Sequence, residues 1–143
     1  LKKVNSEKNK LKIESKEKLL DYSNIKIKTS ITANNYDLMF GVSKIFDVDY
    51  MMVLQPTIFT KNKYTADEIK CIEFDKNLKE FEDTFYAELY NKLKSKNYFY
   101  DFRSIFNKEE NNIYVDNVHF NDEGAAIIAK RIYQILIQNY DIK

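Results

Sequence analysis

His119, the single histidine of the chain, lies three residues after Asp116 in the run Tyr114-Val115-Asp116-Asn117-Val118-His119-Phe120-Asn121-Asp122-Glu123-Gly124. A neutral imidazole is the usual protein base near pH 7. A carboxylate beside it in a tight loop can accept its Nδ1–H, fixing the tautomer and steadying the imidazolium formed when Nε2 takes a proton. Any histidine chemistry must occur here. The spacing alone also suits a plain surface turn, so the elements around it carry the argument.

Those elements favour a rigid mount. Asn121 is a good N-cap, and Asp122 and Glu123 put negative charge where a helix dipole stabilises it. Gly124 removes a side chain from the first turn, which lets the helix press close to the loop carrying His119. The helix continues with Ala125, Ile128, Ala129, Ile132, Ile135 and Leu136 as a stripe of 3.6-residue period.

Upstream, from residue 34, helical and extended patterns alternate. Asn34 or Asn35 can cap a helix over residues 36–46, with Tyr36, Met39, Phe40, Ser43 and Phe46 on one face. Residues 49–55 form a short apolar run ended by Pro56, which suits a buried parallel strand. After a loop over 57–64, Thr65 and Glu68 have the spacing of a capping box. Ile69, Ile72, Leu78, Phe81, Phe85, Leu89 and Leu93 then extend one helical stripe to about residue 94. A turn leads into a strand over 98–102. This order predicts an α/β fold, a three-layer α/β/α sandwich with a parallel sheet. Two parallel strands need neighbours on both sides, so the rest of the sheet is expected from an N-terminal half of the same protein.

Residues 1–33 have a different character, and the chain divides into a lysine-rich peripheral helix or connector (1–33) and an α/β portion (34–143). Nine lysines face four acids within residues 1–30. Leu11, Leu19 and Leu20 give a weak helical stripe, whereas Ile25, Ile27 and Ile31 alternate with polar residues and suggest a short strand or extended connector.

Three stretches together resemble the SGNH (GDSL-type) hydrolases. Asp116-Asn117-Val118-His119-Phe120-Asn121-Asp122-Glu123-Gly124, followed by Ala-Ala-Ile-Ile-Ala-Lys-Arg-Ile, resembles that family's last conserved block. Val53-Leu54-Gln55-Pro56 resembles the strand end before its penultimate helix. Tyr98-Phe99-Tyr100-Asp101-Phe102 with Ser104-Ile105-Phe106 resembles the final strand and the loop after it. The likeness covers roughly residues 34–140. It implies that Asp116 and His119 are the Asp and His of a Ser-His-Asp triad, and a flavodoxin-like parallel sheet around them.

The family's remaining blocks are not in this sequence. No serine follows Gly-Asp, and no Gly-x-Asn-Asp occurs, so nucleophile and oxyanion hole would lie upstream. Gly41-Val42-Ser43 is the nearest glycine-flanked serine, but it falls within a helical pattern. A chain of this length would ordinarily carry about ten glycines at roughly 7% usage, and this one has two. Both observations suit a C-terminal portion of a longer hydrolase.

Composition bounds the rest. A net charge of +1 gives no bulk attraction to nucleic acid, and no run approaches a membrane span. The lone Cys71 excludes an internal disulfide, no Cys/His cluster has metal-ligand spacing, and no cofactor motif is present. The expected function is hydrolysis of a small-molecule or carbohydrate ester, with Tyr64, Tyr98, Tyr100, Phe106 and Tyr114 available for sugar stacking or for a core. An O-acyltransferase of the same fold, a non-catalytic SGNH-like binding or scaffold module, and a flavodoxin-like module binding an anion or partner remain as alternatives. The last would need phosphate-cradling glycines after a strand.

Overall fold

The computed structural model describes residues 24–74 and 76–139. Their element order is α1 (Ile25–Ile45), β1 (Met52–Leu54), a 3-10 turn (Ile58–Thr60), α2 (Ala66–Phe74), α3 (Lys76–Leu93), β2 (Phe99–Asp101) and α4 (Asp122–Asn139). The architecture is mixed α/β around a two-stranded sheet. Its strands are parallel, with Met52 opposite Phe99, Val53 opposite Tyr100 and Leu54 opposite Asp101. Both strands are shorter than the runs 49–55 and 98–102, although Tyr98 and Phe102 remain buried beyond the ends of β2.

The alternation of isoleucines from Ile25 to Ile31 is misleading: these residues are helical. Ile25, Thr29 and Ala33 are buried at intervals of four on one face of α1, and Tyr36 and Phe40 extend that face against the core. Tertiary packing overrides the β preference of Ile and Thr. The hydroxyls are satisfied inside the helix: Thr29 donates to the Ile25 carbonyl at 2.9 Å, and Thr32 to that of Lys28 at 2.9 Å. The helix therefore starts at Ile25, not behind a cap at Asn34 or Asn35, and crosses the boundary drawn at residue 33. The expected helix bearing Leu11, Leu19 and Leu20 lies outside the described residues.

A second departure concerns the stripe from Ile69 to Leu93. Its described residues lie on α2 and α3, and it serves two separate cores. Ile72 and Leu78 pack around Ile58, Phe59, Phe106, Ile113 and Tyr114. Phe85, Leu89 and Leu93 join Ala33, Met52, Leu54 and Tyr98. Ile69 belongs to neither and is exposed. On α4 the inward face includes Gly124, Ile127, Ile128 and Ile135, while Ala125 and Ala129 are exposed.

α1 is fastened to the segment that leads into β2 by Asp37, which accepts hydrogen bonds from the Tyr98 hydroxyl at 2.7 Å and from Lys96. Lys96 first, then Tyr98, holds the Asp37 carboxyl below its usual range. The opposite face of α1 is also apolar: Ile27, Ile31, Leu38, Val42 and Ile45 are exposed along it, with Phe46 and Val48 beyond its end. No helix among the described residues is long and apolar enough to cross a membrane.

One half-buried carboxyl gives the fold a pH dependence. Burial pushes Glu82, on α3, up to about 7 from an ordinary 4.5, against a smaller lowering by Thr57. Below the unfolded value both states are protonated. Between there and about 7 only the folded state keeps its proton, so stability falls as pH rises through this window and is lowest above it. Each pKa unit carries about 1.4 kcal/mol, so this group's share of the loss is about 3 kcal/mol. Melting curves at pH 5 and pH 8 should show a clear drop for the wild type and a smaller one for Glu82→Gln. Equal drops would contradict the assignment.

Candidate functional site

Asp116 and His119 are in direct contact. His119 Nδ1 lies 2.8 Å from Asp116 Oδ2. The other carboxylate oxygen, Oδ1, accepts the backbone amides of Val118 at 2.9 Å and His119 at 2.7 Å. One carboxylate thus closes the turn and orients the ring it carries, an arrangement open to Asp because its short side chain reaches its own backbone. The amides of His119 and Val118, then the imidazole itself, hold the Asp116 carboxyl down to about 2. An ionised Asp116 can only accept, so a neutral imidazole must keep its proton on Nδ1 and direct the Nε2 lone pair away. The ring is 74% exposed, and no hydroxyl among the described residues hydrogen-bonds it.

The loop is clamped at its base. Tyr114 and Phe120 form an antiparallel bridge, flanked by Val115 N donating to His119 O at 2.9 Å and Asn121 N to Ile113 O at 2.8 Å. Beneath it the rings of Phe106, Tyr114 and Phe120 meet edge to face, with centroids 5.6–6.4 Å apart. Asn121 Oδ1 caps α4 by accepting the Gly124 amide at 3.0 Å, and its amide nitrogen donates to Asn112 O. Gly124 is required by space: a Cβ there would come within 2.7 Å of Phe120 Cβ and 2.8 Å of Ile113 Cγ2.

A second clamp comes from the turn after β1. Gln55 Nε2 donates to Val118 O at 3.0 Å, and the Ile58 amide donates to Asn117 O at 2.9 Å. Gln55 is exposed and braces the loop. The expected strand end thus meets the expected histidine loop across the end of the sheet.

The third clamp is a buried ion pair that local sequence patterns do not disclose. Thr65 and Glu68 form the capping box, with Thr65 N donating to Glu68 Oε2 at 3.0 Å and Glu68 N to Thr65 Oγ1 at 3.3 Å. Glu68 Oε1 also accepts the amides of Ile113 at 2.9 Å and Tyr114 at 3.2 Å, immediately before the histidine loop. Lys61 Nζ sits against both carboxylate oxygens, at 2.8 and 2.9 Å, and donates to Asn111 O at 2.7 Å. Both side chains are fully buried. Burial pushes the Glu68 carboxyl up, but Lys61 and the three amides outweigh it and hold it below the ordinary range.

The other candidates fall elsewhere. Ser43 is buried on α1 and donates to the Phe40 carbonyl, so it is a helix serine. Tyr98, Phe106 and Tyr114 are core residues, leaving no face for a sugar, while Tyr64 and Tyr100 are half-buried. Among the described residues no group of three His, Cys, Asp or Glu side chains could hold a metal. No family model, curated protein or solved structure matches the chain.

Two substitutions test the mount. Gly124→Ala should cost roughly 1–3 kcal/mol, since Phe120 and Ile113 must move to admit the methyl group. Lys61→Met strands the buried Glu68 charge and should cost about 3–5 kcal/mol, with part recovered by adding Glu68→Gln. Denaturant unfolding of the single and double variants checks both.

Proposed function

We propose that this chain carries the base and its orienting carboxylate for an SGNH-type serine esterase. The observation that carries the proposal is the Asp116 carboxylate, which grips the loop backbone and the imidazole together and leaves Nε2 facing outward. The resemblance of residues 116–124 to the family's last block supports the same reading. A serine supplied from outside these residues would complete the triad.

In the acylation step, His119 Nε2 takes the serine proton as the serine oxygen bonds to the ester carbonyl carbon. The tetrahedral adduct then collapses, the bond to the alcohol oxygen breaks, and the imidazolium gives its proton to the leaving alkoxide. Water repeats the sequence on the acyl-serine, releasing the acid and restoring neutral His119. Asp116 stays ionised throughout and stabilises the transient positive ring. In an acyltransferase an acceptor alcohol would replace that water, with the same proton traffic.

The finer architecture belongs to this proposal: a three-layer α/β/α sandwich in which β1 and β2 are two strands of a larger parallel sheet. Parallel pairs are ordinarily covered on both faces and rarely stand as two strands alone. The outward apolar stripe of α1 is a further surface suited to cover.

A non-catalytic binding role is the competing reading, and one observation favours it. Asp116 already closes the turn through the Val118 and His119 amides, so the pair has a structural use without chemistry. Activity decides between them. In the intact protein, His119→Ala should lower esterase kcat by several orders of magnitude and Asp116→Asn by about 10³–10⁴. A serine-directed fluorophosphonate should label the wild type. Full turnover in the His119 variant, or no labelling, supports the binding module instead.

A further inference from the structure

We propose that Val115 is a specificity residue that gives the leaving-alcohol side of the site an aliphatic wall; this rests on the esterase reading above. The register of the loop carries the inference. Tyr114 and Phe120 are bridge partners, and the hydrogen bond from Val115 N to His119 O makes Val115 and His119 the next opposed pair. Side chains alternate across a paired backbone, so the two residues after the inward Tyr114 and before the inward Phe120 point the other way. Burial agrees: Tyr114 is 1% exposed and Val115 60%. Opposed residues on one face stand roughly 5 Å apart at Cβ. Val115 therefore lies beside the imidazole, on its solvent face.

That position matters because of what the base must do. The proton that His119 returns goes to the alkoxide oxygen, so the leaving alcohol must lie at Nε2 and its substituent must pass the surface beside the ring. Val115 supplies that surface, and Val118, which is also exposed, extends it on the other side of the turn. Within the loop the single charge is Asp116, whose oxygens are committed to two amides and the imidazole. The aromatic residues that could have stacked a sugar are in the core or half-buried. The substrate class that fits is an ester of an aliphatic alcohol, not of a sugar or a cationic alcohol.

The test holds the acyl group constant and varies the alcohol. Steady-state kcat/KM is measured on the intact protein for methyl acetate, hexyl acetate and a peracetylated monosaccharide. Wild type should favour hexyl over methyl acetate by about tenfold, the discrimination expected of a modest apolar contact. Val115→Ser should shrink that ratio several-fold, mainly through a raised KM for hexyl acetate. Val115→Ala serves if the serine variant folds poorly. An unchanged ratio in both variants, or a wild-type preference for the sugar ester, overturns the inference while leaving His119-dependent turnover intact. Absence of any His119-dependent turnover removes the esterase reading, and this inference with it.

Discussion

The carboxylate of Glu68 is the point on which the site depends. It caps α2, neutralises a fully buried Lys61 and accepts two consecutive amides from the strand-like segment that leads into the histidine loop. A buried charge pair of this kind contributes little net stability compared with a well-packed apolar substitute. Its value is positional. Four donors arriving from three directions admit one arrangement of α2, the turn after β1 and residue 113. The alternatives leave a charge or an amide unpaired in the core, at a cost of several kcal/mol.

From that anchor the geometry is built outward by short steps. Ile113 and Tyr114 are held by Glu68, Tyr114 pairs with Phe120, and Asn121 begins α4. Only residues 115–119 project, and Gln55 and the Ile58 amide hold even these from the sheet side. The imidazole is therefore exposed but not loosely held, since the surrounding bonds fix its backbone and Asp116 fixes its ring. For a general base this is the useful combination. The accepting nitrogen meets what approaches, and little reorganisation is needed when it does.

Parts of this were readable from the residues alone. The parallel strand pair, the capping box at Thr65 and Glu68, the cap at Asn121, the close approach at Gly124 and the Asp116–His119 contact each follow from a short-range pattern with a physical cause. The errors also have causes. The N-terminal half of α1 was hidden because β-branched residues at alternate positions imitate a strand, and only its packing against α3 and the core shows which periodicity governs. The contribution of α3 to both cores was hidden because one unbroken apolar stripe gives no sign of where one core ends and the next begins. Lys61 resembles any loop lysine until the fold brings Glu68 and Asn111 around it. Val115 has no local signature at all, since its place arises from the register of a bridge.

Gly124 has a mechanical consequence. α4 spans 18 residues, a rod of about 27 Å, and it meets the histidine loop at a joint with no side chain to act as a spacer. The helix backbone lies directly against Phe120, the residue after His119, so the first turn and the histidine loop are packed as one unit. A change that shifts this first turn therefore passes to the backbone that carries the imidazole.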